Sequence, residues 1–259
     1  MTWDTITLDV DDDSDVATLT VDRPEQLNAL TVDTLEAIED ALGEAETAGA
    51  RALVLAGAGD EAFVAGADIS YMVELSTPEA QAYAELGHRV ADAIESFPAP
   101  TVAAIDGYAF GGGSELALAC DLRVAAQSAV IGQTEIDLGI IPGWGGTQRL
   151  SRLVGDETAK RLVFLGKRVD ASEAAELGLV GEVVPDEAFD DRIDELAGDL
   201  AAKPAFATRA AKEALNAARD GSGASGLALE RRAWAGLFGT HDQREGMAAF
   251  LEKREPEFE

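Results

Sequence analysis

The chain has 259 residues, 47% of them hydrophobic, a size that suits one large domain or a domain with a small appendage. Its 49 acids against 20 bases give a formal net charge of −29, which opposes nucleic acid or an anionic membrane as a partner. A single cysteine, Cys120, and two isolated histidines, His88 and His241, exclude an internal disulfide and leave no basis for a cysteine- or histidine-built metal site or a Ser-His triad.

The acids are spread along the whole chain, and only five of the bases are lysines. A domain this negative repels itself at low salt, whereas at about 1 M salt the Debye length falls to about 3 Å and the repulsion is largely screened. The charge therefore reads as adaptation to a salt-accumulating cytoplasm and not as a clue to chemistry. No run of eighteen apolar residues occurs, and the opening MTWDTITLDV lacks the basic-then-apolar order of a secretory signal. The expectation is a cytoplasmic, metal-free protein.

In chain order, ITLDV and VATLTV alternate apolar and polar residues around the acidic turn DDDSD, which predicts a hairpin. Residues 33 to 48 carry Leu35, Ile38, Leu42 and Ala45 at helical spacing, with Asp33 placed to cap and Glu36 three residues on. RALVLAGAG reads as a buried strand ending in glycines. A helix is expected from about Pro78 to Phe97, then strands over TVAAIDGYAF and LRVAAQSAVIG. From Gly145 onward short helices dominate, with one strand-like piece at VGEVV, and residues 200–259 read as almost all helix, with GSGASG (221–226) as a flexible joint. Strand, strand, helix units recur over the first two thirds, so the expected class is α/β with a helical C-terminal region.

LVLAGAGDEA contains G-x-G-x-x-A at Gly57, Gly59 and Ala62, after a strand. A dinucleotide fingerprint needs a helix to open there, so that its N-terminus can hold a pyrophosphate. FVAGADIS follows instead, with no helical period, and the motif reads as a decoy.

Two other small-residue stretches carry more. Ala65, Gly66 and Ala67, at the end of a strand, leave backbone amides uncovered. Gly111, Gly112 and Gly113 do the same at the head of an apolar helix, where unpaired N–H groups and the helix dipole favour negative charge. Two such amides could form an oxyanion hole. Glu115 follows the three glycines, and Glu135 comes twenty residues later, again among small and apolar residues. Two acids in apolar surroundings suit proton transfer, because burial and mutual repulsion separate their pKa values.

RPEQLNAL, AGADIS, DGYAFGGGSELALACDLRVA, IGQTEIDLGIIPGWGGTQRL and REGMAAFLEKR, in this order through almost the whole chain, resemble the enoyl-CoA hydratase (crotonase) family. The resemblance implies a crotonase-like spiral of ββα units over residues 1–199. It also implies a helical region, 200–259, that builds homotrimers, often paired into hexamers. By similarity, the amides of Ala67 and Gly112 would hold the thioester oxygen of an acyl-CoA. Ala65, Gly66, Asp68, Ile69, Gly111 and Trp144 would contact the substrate. Glu115 would activate the water that attacks C3 of a trans-2-enoyl-CoA, and Glu135 would protonate C2 to give the 3-hydroxyacyl-CoA. Coenzyme A is part of the substrate, and no separate cofactor is implied. Arg23, Lys253 and Arg254 are the candidates for its phosphates, each equally readable as a solvated surface base. The alternatives are an enoyl-CoA isomerase or another thioester enzyme of this fold, such as a short-chain 3-hydroxyacyl-CoA dehydratase, and, from a different class, a non-catalytic RNA-associated protein. The retained glutamate pair favours the hydratase.

Overall fold

Thr5 and Asp22 close the end of the first hairpin in the computed structural model, which describes residues 3–11, 13–221 and 223–259. Strand β1 (Ile6–Asp11) pairs antiparallel with β2 (Val16–Val21), Ile6 opposite Val21, as the alternation predicts. Asp12 of the acidic turn and Ser222 of GSGASG lie outside the described residues.

Helix α1 (Val32–Ala48) starts earlier than expected. Thr31, not Asp33, is the cap: its backbone is extended and its side chain accepts from the Thr34 amide, leaving Asp33 in the first turn, where the dipole favours its charge. Leu35, Ile38, Leu42 and Ala45 face the core as their spacing predicts. Strand β3 (Ala52–Gly57) runs parallel to β2. No helix opens at Gly59; the chain instead reaches a short helix α2 (Ile69–Met72) and then α3 (Thr77–Ser96), which begins in a Ser76–Glu79 capping box.

The segments TVAAIDGYAF and LRVAAQSAVIG each divide in two. The first gives β4 (Thr101–Ile105) and β5 (Tyr108–Phe110), broken at Gly107 with φ +70°. Helix α4 (Gly112–Ala119) follows, then β6 (Leu122–Ala126) and β7 (Val130–Gly132). A six-stranded sheet has the order β1-β2-β3-β4-β6, closed by β9 (Glu182–Val184). A smaller sheet joins β5, β7 and β8 (Arg168–Asp170), a strand that the sequence pattern does not announce. Val64 bridges to Ala109, so the chain leaving β3 also touches the small sheet. Successive units thus give one segment to each sheet and then a helix, which is the spiral that the resemblance implies.

Helix α5 (Gly146–Val154), α6 (Asp156–Phe164) and α7 (Ala171–Glu176) come next, and α8 (Phe189–Ala201) packs Phe189, Ile193 and Ala197 against Val54, Val102 and Val124 of the large sheet. Helix α8 runs through the expected 199/200 division. The remaining helices are α9 (Ala205–Asp220), α10 (Gly223–Gly236) and α11 (His241–Glu252). Gly223 to Gly226, read from the sequence as part of a joint, are helical. Helix α9 is tied to the core by Lys212, whose ammonium meets Asp121 at 2.7 Å and the Ala99 carbonyl at 3.0 Å. Among the described residues, no helix is long and apolar enough to cross a membrane.

Candidate active site

The site begins where β5 ends. Gly111 turns the chain with φ +50° and ψ −122°, a conformation that residues with a Cβ avoid, and α4 starts at the next residue. A Cβ on Gly112 would lie 2.2 Å from the Trp144 ring, so the glycine leaves the slot that the indole fills. Trp144 is buried, with its ring edge-on to Tyr83 at 5.5 Å. It is therefore a core residue and a wall of the site at once.

Every residue of α4 is buried, Glu115 included, at 2% exposure. One oxygen, Oε1, accepts from the Trp144 amide at 2.8 Å and from the Gly146 amide at 2.7 Å. Gly146 is the first residue of α5, so the carboxylate sits at a helix N-terminus besides its own. Burial raises the pKa of Glu115, and the amides of Gly146, Trp144 and Gly143 oppose that rise by binding the charged form.

Glu135 opens a 3-10 turn (Glu135–Leu138) after β7 and is 8% exposed. Neither of its carboxyl oxygens has a hydrogen-bond partner among the described residues. Burial, and secondly the charge of Glu115, push its pKa up to about 7. One acid is held by donors that favour its ionised form, while the other has none and keeps its proton to near neutrality.

The two small-residue stretches line the same cavity. Leu30 and Ala67 form a parallel bridge through Gly66 and Asp68: the Leu30 amide donates to the Gly66 carbonyl at 2.8 Å, and the Asp68 amide donates to the Leu30 carbonyl at 2.9 Å. In an extended segment the intervening N–H points the other way, so the Ala67 amide faces away from Leu30. Gly112 is the first residue of α4, whose opening N–H groups have no acceptor within the helix. Ala65, Gly66, Ala67, Gly111 and Gly112 line a cavity of about 580 Å³ together with Glu115, Glu135, Ile69 and Trp144. A polar cavity of about 550 Å³ lies elsewhere, between α3 and α5, and contains neither glutamate.

Four of the expected residues are not in this lining. Asp68 caps α2, its Oδ1 accepting from the Ser70 amide at 3.0 Å and the Ser70 hydroxyl at 2.6 Å. Arg23 donates to the Ala29 carbonyl, and its charge lowers the pKa of Asp68 behind the Ser70 contacts. Lys253 caps α11 in the left-handed region, and Arg254, just beyond the helix, is taken up by Glu245 and Glu252 of α11. Local acids thus bind Arg254, and in a chain with 49 acids a basic residue finds such partners before any ligand arrives.

Other contributors escaped the sequence reading. Tyr83, whose hydroxyl donates to the Leu30 carbonyl at 3.1 Å, walls the cavity with Ala84, Ile140 and Ile141. Gln133, buried beneath the site, donates to the Ser114 hydroxyl at 3.0 Å. Tyr83 shares the buried helical period of Leu86 and Val90, so it reads as core; its contact with the cavity has no signal in sequence.

The model of the enoyl-CoA hydratase/isomerase family matches residues 11–259. A crotonyl-CoA hydratase of Syntrophomonas wolfei is 45% identical over 206 residues, 80% of this chain and 79% of the relative. A short-chain-enoyl-CoA hydratase of Clostridium acetobutylicum is 41% identical over 225 residues, 86% of each chain. The crystal structure of an enoyl-CoA hydratase from Bacillus anthracis superposes with a TM-score of 0.94 at 40% identity, over 98% of each chain.

Proposed function

The chain belongs to the enoyl-CoA hydratase/isomerase family and is an enoyl-CoA hydratase; we propose that two glutamates and two backbone amides carry its reaction. The substrate is a trans-2-enoyl-CoA and the product a 3-hydroxyacyl-CoA, formed by reversible syn addition of water. The amides of Ala67 and Gly112 hold the thioester oxygen as attack at C3 turns it into an enolate, each donor contributing about 3 kcal/mol in comparable holes. Glu115, whose charged form the Trp144 and Gly146 amides bind against the rise that burial imposes, takes the proton of the attacking water. Glu135 gives its proton to C2, and in the reverse direction the roles exchange.

The observation that carries this division is the asymmetry of the two carboxyls: two amides on Glu115, none on Glu135. Loss of the conjugated thioester absorbance of crotonyl-CoA tests it. Glu115→Gln and Glu135→Gln should each lower hydration by about 10²- to 10⁴-fold. An active Glu115→Gln would reassign the chemistry to a one-carboxylate isomerase built on Glu135.

The assembly proposed is a homotrimer, or two trimers paired. Phe206, Trp234, Phe250 and Leu251 of the C-terminal helices are 64–83% exposed, a concentration of large apolar side chains that suits contact with further copies. Lys253, exposed at the end of α11, is proposed to approach the coenzyme A phosphates of a neighbouring copy, with Arg23 nearer the site of its own chain.

A further inference from the structure

The loop Gly143–Gly146 separates two environments. Gly143 and Trp144 line the cavity of the two glutamates, whereas Gly145 and Arg149 line the polar cavity between α3 and α5. Arg149 reaches across that second cavity. Its Nη1 donates to the Trp144 carbonyl at 3.0 Å, and its Nε and Nη2 meet Glu95 at 2.9 and 2.7 Å. Nη2 also meets Asp92 at 2.7 Å. The Trp144 backbone is thus held at both of its peptide groups: its carbonyl by Arg149, its amide by Glu115.

The sequence makes room for both ends of this clamp. A Cβ on Gly145 would lie 2.2 Å from Arg149 Nη1, and one on Gly146 would lie 2.9 Å from Glu115 Oε1. One glycine admits the guanidinium and its neighbour admits the carboxylate. An ion pair with Asp92 and Glu95 alone would not need the Trp144 carbonyl, which takes the Nη1 that neither acid binds. A guanidinium can serve three acceptors on two separate segments at once, here Asp92 and Glu95 of α3 and the Trp144 carbonyl, which an ammonium on a flexible stem does poorly.

We propose that Arg149 is a positioning residue for hydration: by anchoring the Trp144 carbonyl to α3 it fixes the amides that aim the Glu115 carboxylate at the attacking water. This rests on Glu115 as the base. Displacement of a reacting group by about 1 Å costs on the order of 10²-fold in rate, so the effect falls on kcat and not on substrate affinity.

Steady-state hydration of crotonyl-CoA tests the proposal in wild type, Arg149→Gln, Arg149→Lys, Glu115→Gln and the double variant Glu115→Gln/Arg149→Gln. Arg149→Gln should lose about 10- to 100-fold in kcat with KM kept within about threefold. Arg149→Lys should recover the thermal midpoint through its charge but not the kcat. Arg149→Gln should cost nothing further once Glu115 is Gln, because both substitutions act through one carboxylate. A folded Arg149→Gln with wild-type kcat, a loss confined to KM, or a full further loss in the double variant overturns the positioning role. If Arg149→Gln does not fold, Arg149→Lys decides: a fall in kcat at unchanged KM upholds the proposal and an unchanged kcat ends it. An active Glu115→Gln instead removes the reading beneath it, which an inactive Glu115→Gln beside an unimpaired Arg149→Gln does not.

Discussion

Glu135 lies within the field of Glu115: burial first, and then the charge of Glu115, move the pKa of Glu135 to about 7. The proposed mechanism has Glu135 protonated for hydration, so activity should fall as pH climbs past that value. The kcat/KM profile of the free enzyme should show an alkaline limb near neutrality, and Glu135→Gln, slow at every pH, should lack it. A wild-type profile that stays flat from about pH 6 to about pH 9 would detach Glu135 from the proton transfer.

The same shift has a consequence for stability. A carboxyl whose folded pKa exceeds its unfolded value binds its proton more tightly in the native state. Its contribution is fully present below the unfolded value of 4.5 and is lost as pH rises through about 7. The difference corresponds to roughly 3 kcal/mol between the two ends of that window. Glu135→Gln, which needs no proton to stay neutral, should therefore raise the thermal midpoint, and by more at about pH 8 than at about pH 5. Equal gains at both pH values, measured by calorimetry, would show that ionisation of this buried acid carries no cost.

Trp144 fills the space that Gly112 leaves, with ring atoms 2.2 to 3.0 Å from where a Cβ would stand. Gly112→Ala should destabilise the fold by about 1–3 kcal/mol through overpacking, and should cut kcat by displacing an oxyanion donor. Adding Trp144→Phe removes the ring that clashes and should return part of the stability. Non-additive denaturation midpoints in the double variant check this; strict additivity would mean that the two residues do not share the slot.

Much of this site is legible in the sequence because each of its parts is local. The bare amides at Ala67 and Gly112 follow from runs of small residues, and Glu115 and Glu135 stand out as acids among apolar neighbours. What joins distant segments is not legible. Arg149 is 54 residues from Glu95, and only the packing of α5 on α3 brings them together. TVAAIDGYAF reads as one strand because apolar residues run on through Tyr108, Ala109 and Phe110, so composition does not mark the break at Gly107, although β4 is buried throughout and Tyr108 is exposed. Thr31 is passed over as a cap because a threonine followed by valine looks like the end of an extended segment, and the next capping residue, Asp33, gives a helix of nearly the same length.

Phe250 and Leu251 are 83% and 80% exposed on α11, far beyond what a lone helix in water would keep. Self-association should bury them. Light scattering on the purified protein should give three or six times 27.1 kDa, and Phe250→Asp should shift the distribution towards one copy. A wild-type protein that runs as one copy at micromolar concentration would leave this face without its proposed occupant.

The net charge of −29 sets how the fold and its substrate respond to salt. At about 0.1 M the Debye length is about 10 Å, long enough for acids on neighbouring turns and loops to repel one another, and at about 1 M it is about 3 Å. The thermal midpoint should therefore rise steeply with KCl up to about 1 M and then flatten, because screening is almost complete while any exclusion effect would continue to grow linearly. The substrate feels the same field. Coenzyme A carries several phosphate charges, so a strongly negative enzyme repels it at low salt and KM for crotonyl-CoA should fall as KCl increases, the opposite of the trend for a basic binding face. A midpoint that drops, together with a KM that rises, between about 0.1 and about 1 M KCl would mean that a few bases near the site, Arg23 and Lys253 among them, outweigh the charge of the whole surface.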